Sequence, residues 1–310
     1  MTVQSVSDGI ESFRAWATDP TPRIGFGLPF FDDATRGGLA KAECCMVMAY
    51  SSVGKTWIAL NVIANNPHMP TLFLSLEMSW RQVVSRLTAI TTGLPTWELE
   101  NELKHGRSPG QLFDTISKFP LLLGNDRSEL SIKEISAAID DGGRKLQTPI
   151  RLVVIDFLEL IGGAGMLGKS EQVDKAAQKV RALAKDHDCS VIVLHQVKMS
   201  DGSGGSEPLG LDSGKYGGFQ PMDAVIGAYA PRLDRKLAQI ERGRVQGDLY
   251  LQLIKSRNGK AHPEGVRHTL DPNTGRITPW GITAPLMPAP GFQPQFGIPS
   301  WDRELEEVGA

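Results

Sequence analysis

Ala49-Tyr50-Ser51-Ser52-Val53-Gly54-Lys55-Thr56 is the stretch that decides the fold of this chain. It follows an apolar run and opens a segment with helical spacing, which is the setting required of a Walker A phosphate loop. In such a loop, backbone N–H groups and the lysine bind phosphate oxygens, and the threonine hydroxyl ligates Mg²⁺. The predicted nucleotide-binding residues are Ser51, Ser52, Val53, Gly54, Lys55, Thr56 and Trp57.

Two acidic residues end apolar runs and are candidates for binding the metal and activating water. Asp156 closes the aliphatic run 152–155, so we predict that it is the Walker B acid that holds Mg²⁺ together with Thr56. Glu77 ends another apolar run, and we predict that it orients or deprotonates the attacking water. Because the carboxyl ends of parallel strands face one crevice, both should lie near Lys55. The alternatives are a loop aspartate that merely follows a strand and a salt-bridged surface glutamate.

Short apolar runs alternate with helical patterns from residue 24 to about residue 280. This alternation is typical of an α/β fold with a mainly parallel central sheet flanked by helices. The predicted strands are residues 44–49, 71–76, 152–157, 191–195, 224–229 and 249–254. Helices are predicted after Gly54, over 78–92, over 171–186, and after Ser131, where Ser131 and Glu134 can form a capping box.

Composition excludes several classes of protein. The chain has 310 residues, of which 41% are hydrophobic and 22% charged, as is typical of a globular protein. Its 33 basic and 35 acidic residues give a formal net charge of −2, so it is not a generally basic nucleic-acid coat. The cysteines Cys44, Cys45 and Cys189 are too few for a disulfide framework or a four-cysteine zinc site. No apolar run reaches the length of a membrane span, so we predict a cytoplasmic protein with no membrane partner.

Several motifs occur together in an order that resembles the RecA-like motor domain of the DnaB family of replicative helicases. Besides the phosphate loop, they are GFGLPFFDDATRGGL (25–39), LFLSLEMS (72–79), LVVIDFLEL (152–160), VIVLHQ (191–196) and LIKSRNG (253–259). Each motif is weak or moderate alone, but their shared order is specific. The resemblance covers about residues 25–270 and implies a RecA-like P-loop NTPase fold.

The resemblance also implies roles for individual residues. Gln196 matches the family's sensor of the γ-phosphate state, and Lys255 and Arg257 match basic residues that face the nucleotide of an adjacent subunit. An arginine that acts on a neighbouring subunit's nucleotide stabilises charge on the transferred phosphoryl group. The alternative for Lys255 and Arg257 is two outward residues that flank a strand end. His195 replaces a serine that is frequent in the family, and we assign it no role.

The resemblance places a DNA-binding loop of the central channel in the glycine-rich stretch 199–218. Lys198 and Lys215 are the predicted DNA contacts, although this stretch is richer in glycine and poorer in arginine than expected. The implied domains are an N-terminal arm or linker helix (1–23), a RecA-like ATPase motor domain (24–280) and a proline-rich tail (281–310). The arm helix could pack on its own domain or on a neighbouring subunit.

Our first hypothesis is a DNA helicase motor of replication that requires ATP and Mg²⁺ and moves on single-stranded DNA as a ring, expected to be a hexamer. Primase or a helicase loader are the further partners that the family suggests. We expect a minimal, phage- or plasmid-like form without the N-terminal collar domain. The second hypothesis is a RecA/RadA-like assembly ATPase that forms filaments or acts as a loader or clamp without unwinding. A monomeric P-loop kinase is the third, and it lacks an evident acceptor site.

Overall fold

The computed structural model describes residues 5–75, 77–106, 110–124, 130–161, 169–197, 204–213 and 217–281. These residues form a nine-stranded sheet with the order β3-β2-β4-β5-β1-β6-β7-β8-β9. The strands are β1 (Cys44–Ala49), β2 (Thr71–Ser75), β3 (Leu121–Gly124), β4 (Leu152–Asp156), β5 (Ser190–Gln196), β6 (Ala224–Tyr229), β7 (Asp248–Ser256), β8 (His262–Leu270) and β9 (Ile277–Pro279).

The sheet is parallel from β3 to β6 and antiparallel from β6 to β9. The predicted α/β fold with a mainly parallel sheet is therefore confirmed, and each of the six predicted strands is present within one or two residues of its predicted bounds. The sequence patterns did not predict β3, β8 or β9. β8 carries a proline, a glycine and several polar residues, which weakens the local strand signal.

Helices cover the sheet and connect its parallel strands. They are α1 (Val6–Ala17), α2 (Pro29–Ala34), α3 (Lys55–Asn65), α4 (Trp80–Thr92), α5 (Thr96–Lys104), α6 (Gly110–Ser117), α7 (Ile132–Leu146), α8 (Lys169–Asp186) and α9 (Gln239–Arg244). The predicted capping box at α7 is confirmed, because the Glu134 N–H donates to Ser131 Oγ and the Ser131 N–H donates to Glu134 Oε2.

The core lies on both faces of the parallel strands. Every residue of β1 and β4 is buried, as expected for strands with helices packed on each side. The apolar side chains that α3 and α8 bury belong to the same hydrophobic cluster as these strands. Burying each large aliphatic side chain contributes about 1.5–3 kcal/mol, so this cluster fixes the strand ends that carry the candidate site.

The N-terminal helix α1 contributes no buried residue. Its apolar residues Ile10, Phe13 and Trp16 are all exposed. The contacts of this helix with the described residues include the Arg23 guanidinium, which lies 5.7 Å from the centre of the Trp16 ring. Within the described part of the chain, no helix is both long enough and apolar enough to span a membrane. The proline-rich tail beyond Gly281 lies outside the described residues.

Candidate nucleotide site

The phosphate loop joins the buried strand β1 to helix α3. Ser52 and Gly54 have φ angles of 67° and 126°, and this left-handed backbone lets the loop turn back over the start of α3. The Lys55 ammonium donates to the carbonyl oxygens of Ala49 (3.0 Å) and Tyr50 (3.2 Å). Burial lowers the pKa of Lys55, and nearby carboxylates oppose that shift. The loop thus presents N–H groups and a cation at the amino end of a helix, as an anion site requires.

Thr56 and Asp156 meet directly, although 100 residues separate them in the sequence. The Thr56 hydroxyl donates to Asp156 Oδ2 at 2.8 Å. Burial raises the pKa of Asp156 to about 6, and the charge of Glu77 adds to the rise, while the Thr56 hydrogen bond and Lys55 oppose it. A hydroxyl and a carboxylate held together are oxygen ligands that suit Mg²⁺, and this ion usually completes its shell with water and phosphate oxygens. These two residues therefore fit the predicted metal.

Glu77 lies just beyond the end of β2, the strand that pairs with the Asp156-bearing strand β4. Ser75 pairs with Asp156 in the parallel ladder, so both acids stand at the same edge of the sheet. Glu77 is exposed and lines a cavity of about 320 Å³. The residues around this cavity are Ser51, Ser52, Gly54, Lys55, Thr56, Trp57, Glu77, Met78 and Arg86. The structure therefore brings the predicted base to the opening above the phosphate loop.

Gln196 reaches the same loop from the end of β5. Its side-chain Nε2 donates to Ser51 Oγ at 2.9 Å. Trp57, directly after Thr56, packs against Gly275 beyond β8, where a Cβ would lie 2.0 Å from the indole. The sequence-predicted residues from Ser51 to Trp57, together with Glu77, Asp156 and Gln196, are therefore all at the carboxyl edge of the parallel strands.

Lys255 and Arg257 lie at the opposite edge of the sheet. β7 is antiparallel to β6, and Ser256 pairs with Ala224, the first residue of β6. Ala224 in turn pairs with Cys45 near the start of β1, whereas the phosphate loop follows the end of β1. The six residues of β1 span roughly 17 Å at about 3.3 Å per residue. Neither cation can therefore contact phosphates bound to its own loop.

Both cations are held at the surface by contacts within their own chain. The Lys255 ammonium donates to the carbonyl oxygens of Phe219 (3.1 Å) and Gln220 (2.8 Å). Arg257 Nη1 lies 3.5 Å from Asp223 Oδ1, and Nη2 donates to the Gln220 carbonyl oxygen at 3.2 Å. The Arg257 side chain is 46% exposed, so it is available to a second copy of the chain. Lys198 and Lys215, the predicted DNA contacts, lie outside the described residues.

Two arginines at the site were missed by the sequence analysis. The Arg86 guanidinium lies 4.8 Å from the centre of the Trp57 ring and lines the cavity with Glu77. Arg232 donates to the carbonyl oxygens of Ser52 (3.1 Å) and Val53 (3.0 Å), and burial lowers its pKa. Arg232 follows the carboxyl end of β6, so the rule that strand ends face the ligand could have found it. The position of Arg86 within α4 carries no comparable signal.

Comparison with known protein families agrees with this geometry. Residues 24–208, more than half of the chain, match the family model described as the DnaB-like helicase C-terminal domain. The chain belongs to the DnaB-like helicase C-terminal domain family. Its fold is also that of solved DnaB-like ATPase domains. One structure, described as an ATPase domain, superposes with a TM-score of 0.73 at 19% identity, covering 90% of this chain and 99% of that one.

Relatives of this DnaB-like chain are larger proteins. The replicative DNA helicase DnaB of Treponema pallidum is 28% identical over 249 residues, covering 76% of this chain and 52% of the relative. The replicative DNA helicase DnaB of Synechocystis sp. is 29% identical over 188 residues, covering 56% of this chain and 20% of the relative. A DnaB-like replicative helicase, solved in work on its interactions with primase, superposes with a TM-score of 0.71 at 18% identity, covering 90% of this chain and 67% of that one. The chain thus spans about half or less of the curated relatives, and its membership in the family implies nucleotide binding.

Proposed function

We propose that this chain is the ATP-hydrolysing motor of a replicative DNA helicase. It works with Mg²⁺ as a hexameric ring on single-stranded DNA. The observation that carries the proposal is the placement of the phosphate loop and of Arg257 at opposite edges of one sheet. In a ring, each copy presents one edge to the opposite edge of the next copy. The cations of one subunit then face the triphosphate bound to its neighbour.

Each residue at the phosphate edge has a role in this mechanism. Lys55 exchanges its bonds to the loop carbonyls for phosphate oxygens, while Thr56 and Asp156 hold Mg²⁺. Bound Mg²⁺ supplies a positive charge that offsets charge on the phosphates. Glu77 orients or deprotonates the attacking water from its exposed position. Gln196 senses the γ-phosphate through its bond to the phosphate loop.

The remaining roles complete the proposal. Lys198 and Lys215 contact the phosphates of the DNA strand, and the repeated loops of a ring multiply this weak contact. The domains are an arm (1–23), a motor (24–280) and a tail (281–310), and the exposed apolar stripe of α1 packs on a neighbouring motor domain. A solved neighbour's interaction with primase supports primase, or a helicase loader, as a partner. The replicative helicase names of the relatives support action in the cytoplasm.

A subunit-mixing experiment tests the shared site. Arg257→Ala removes the cation donated to the neighbour, and Lys55→Ala removes the cation of the phosphate loop, so each variant alone should lose most of its ATP hydrolysis. Mixed rings restore complete sites where an intact cradle meets an intact cation, so equal mixtures should recover part of the activity. If the mixture is no more active than the two variants measured apart, the shared site is refuted. Arg235→Ala, an exposed arginine remote from the β7 end, is the matched control.

A second experiment separates a helicase from an assembly ATPase. Electron microscopy with a non-hydrolysable nucleotide and single-stranded DNA should show closed rings, and forked DNA should be unwound only when ATP is present. Filaments without strand displacement would refute the helicase.

Glu77→Gln should bind nucleotide normally and hydrolyse it slowly, because it keeps the shape of the side chain but cannot accept a proton.

A further inference from the structure

Glu159 makes a contact that the proposed mechanism does not use. It lies in the short 3-10 turn Leu158–Leu160 that follows β4, and its Oε1 accepts the backbone N–H of Gln196 at 2.9 Å. The last pair in the ladder of β4 with β5 is Ile155 with Val193, so β5 continues beyond its neighbour. The Glu159 carboxylate thus takes the place that a backbone carbonyl would occupy in a longer β4. Glu159 thus binds the end of β5 from the turn that follows β4, the strand that carries Asp156.

His195 stands beside this contact. Its side chain is fully buried, and Nδ1 lies 3.2 Å from the same Glu159 Oε1. The angle is too poor for a hydrogen bond, and both ring nitrogens and Glu159 Oε2 lack hydrogen-bond partners among the described residues. The ring and the carboxylate are therefore in close contact without a hydrogen bond between them. The charge of Glu159 also acts on the ammonium of Lys55, where it opposes the lowering of the Lys55 pKa by burial.

We propose that Glu159, held by His195, is a positioning residue that ties the Walker B edge of the site to the sensor Gln196. The backbone of Gln196 is fixed by Glu159, and its side chain contacts Ser51 in the phosphate loop. The contact also links the turn that precedes Ile161 to the end of β5, which precedes Val197. The inference rests on the proposed function, because it gives Gln196 the task of distinguishing triphosphate from diphosphate.

We therefore expect Glu159 to affect how the site distinguishes triphosphate from diphosphate, and not how tightly it binds nucleotide in general. Glu159 lies three residues beyond Asp156 and does not line the cavity above the phosphate loop. Losing Glu159 should therefore leave the contacts to the α- and β-phosphates intact and let Gln196 drift from Ser51. Triphosphate and diphosphate should then bind more equally, and DNA should stimulate hydrolysis less.

The test compares Glu159→Ala with Glu159→Gln in the full chain. The first readout is the ratio of affinities for a non-hydrolysable ATP analogue and ADP. Glu159→Ala should lower this ratio about tenfold, as expected for one lost hydrogen bond to a charged group, with ADP affinity changed less than about twofold. Glu159→Gln keeps an acceptor for the Gln196 N–H, so it should retain most of the ratio. Glu100→Ala, which removes an exposed carboxylate of α5, should behave as wild type.

A second readout is the stimulation of ATP hydrolysis by single-stranded DNA, which should fall in parallel with the ratio. His195→Gln and Glu159→Ala should show losses that do not add when combined, because each removes one side of the same contact. Thermal unfolding identifies any variant that fails to fold. If Glu159→Ala does so, Glu159→Met, which has a similar volume but no acceptor for the Gln196 N–H, should show the same loss of ratio and then decides.

Three outcomes would overturn the inference: an unchanged nucleotide ratio in Glu159→Ala, an equal loss of ADP and triphosphate affinity, or no partial rescue by glutamine. A wild-type protein whose hydrolysis does not respond to DNA would instead refute the proposed function. The nucleotide ratio needs no DNA and would still decide the role of Glu159.

Discussion

Replacing Asp156 by asparagine should stabilise the protein in the absence of nucleotide and Mg²⁺, even though it removes a predicted metal ligand. The wild-type carboxyl is buried, and burial raises its pKa from the ordinary value of 3.8 to about 6. At neutral pH the folded protein must therefore keep a charge where a neutral group would be preferred. An asparagine carbonyl can still accept the Thr56 hydrogen bond, so the amide keeps this contact. It also removes the free-energy cost of burying a charged carboxylate.

The size of the effect follows from the pKa difference. Between 3.8 and about 6 the folded state binds more protons than the unfolded state, so wild-type stability falls as the pH rises through this interval. At about 1.36 kcal/mol per pH unit, keeping Asp156 charged lowers the free energy of unfolding by roughly 3 kcal/mol at pH 8 and by about half of that at pH 5. Asp156→Asn should raise the free energy of unfolding by the same amounts. For a domain of this size, the gain at pH 8 corresponds to a rise in Tm of roughly 6 °C.

The assay is thermal or urea unfolding in the presence of a chelator, at several pH values between 5 and 8. Asp114→Asn, which changes an exposed aspartate of α6, is the matched control and should not alter stability. Adding Mg²⁺ and nucleotide should stabilise wild type more than the variant, because only wild type keeps the charged ligand. A variant no more stable than wild type at pH 8, or a gain that does not grow from pH 5 to pH 8, would refute the reasoning.

Two further predictions concern the surroundings of the phosphate loop. Arg232→Ala should weaken nucleotide affinity about tenfold in a fluorescent-nucleotide titration, because it removes two bonds to the loop carbonyls, whereas the exposed control Arg235→Ala should not. An unchanged affinity would mean that the loop holds its shape without this arginine. Gly275→Ala should lower the free energy of unfolding by about 3 kcal/mol in urea, because φ is +73° and a Cβ would overlap the Trp57 ring. Gly243→Ala, where a Cβ meets open space, is the control, and equal stability of the two variants would contradict this packing.

Parts of the candidate site could be predicted from sequence because they obey a local rule. A phosphate loop follows a strand and opens a helix, and an acid at a strand end faces the crevice, so Lys55 and Asp156 could be found without coordinates. Arg86 could not, because its contact with Trp57 depends on how α4 packs beside α3. β8 was missed because it is largely polar, and β9 because it has only three residues, so their antiparallel partners rather than their own composition make them strands.

By itself the sequence determined the alternation of buried strands and helices, the phosphate loop and the acids that follow two of the strands, because these depend on residue type and spacing over short distances. The tertiary structure alone decided how distant segments combine. It turned β7 against β6, which puts Arg257 at the edge away from the phosphate loop, and it brought Glu159 and His195 together behind Gln196. Such juxtapositions arise from strand order and packing across the sheet, and no local pattern in the chain encodes them.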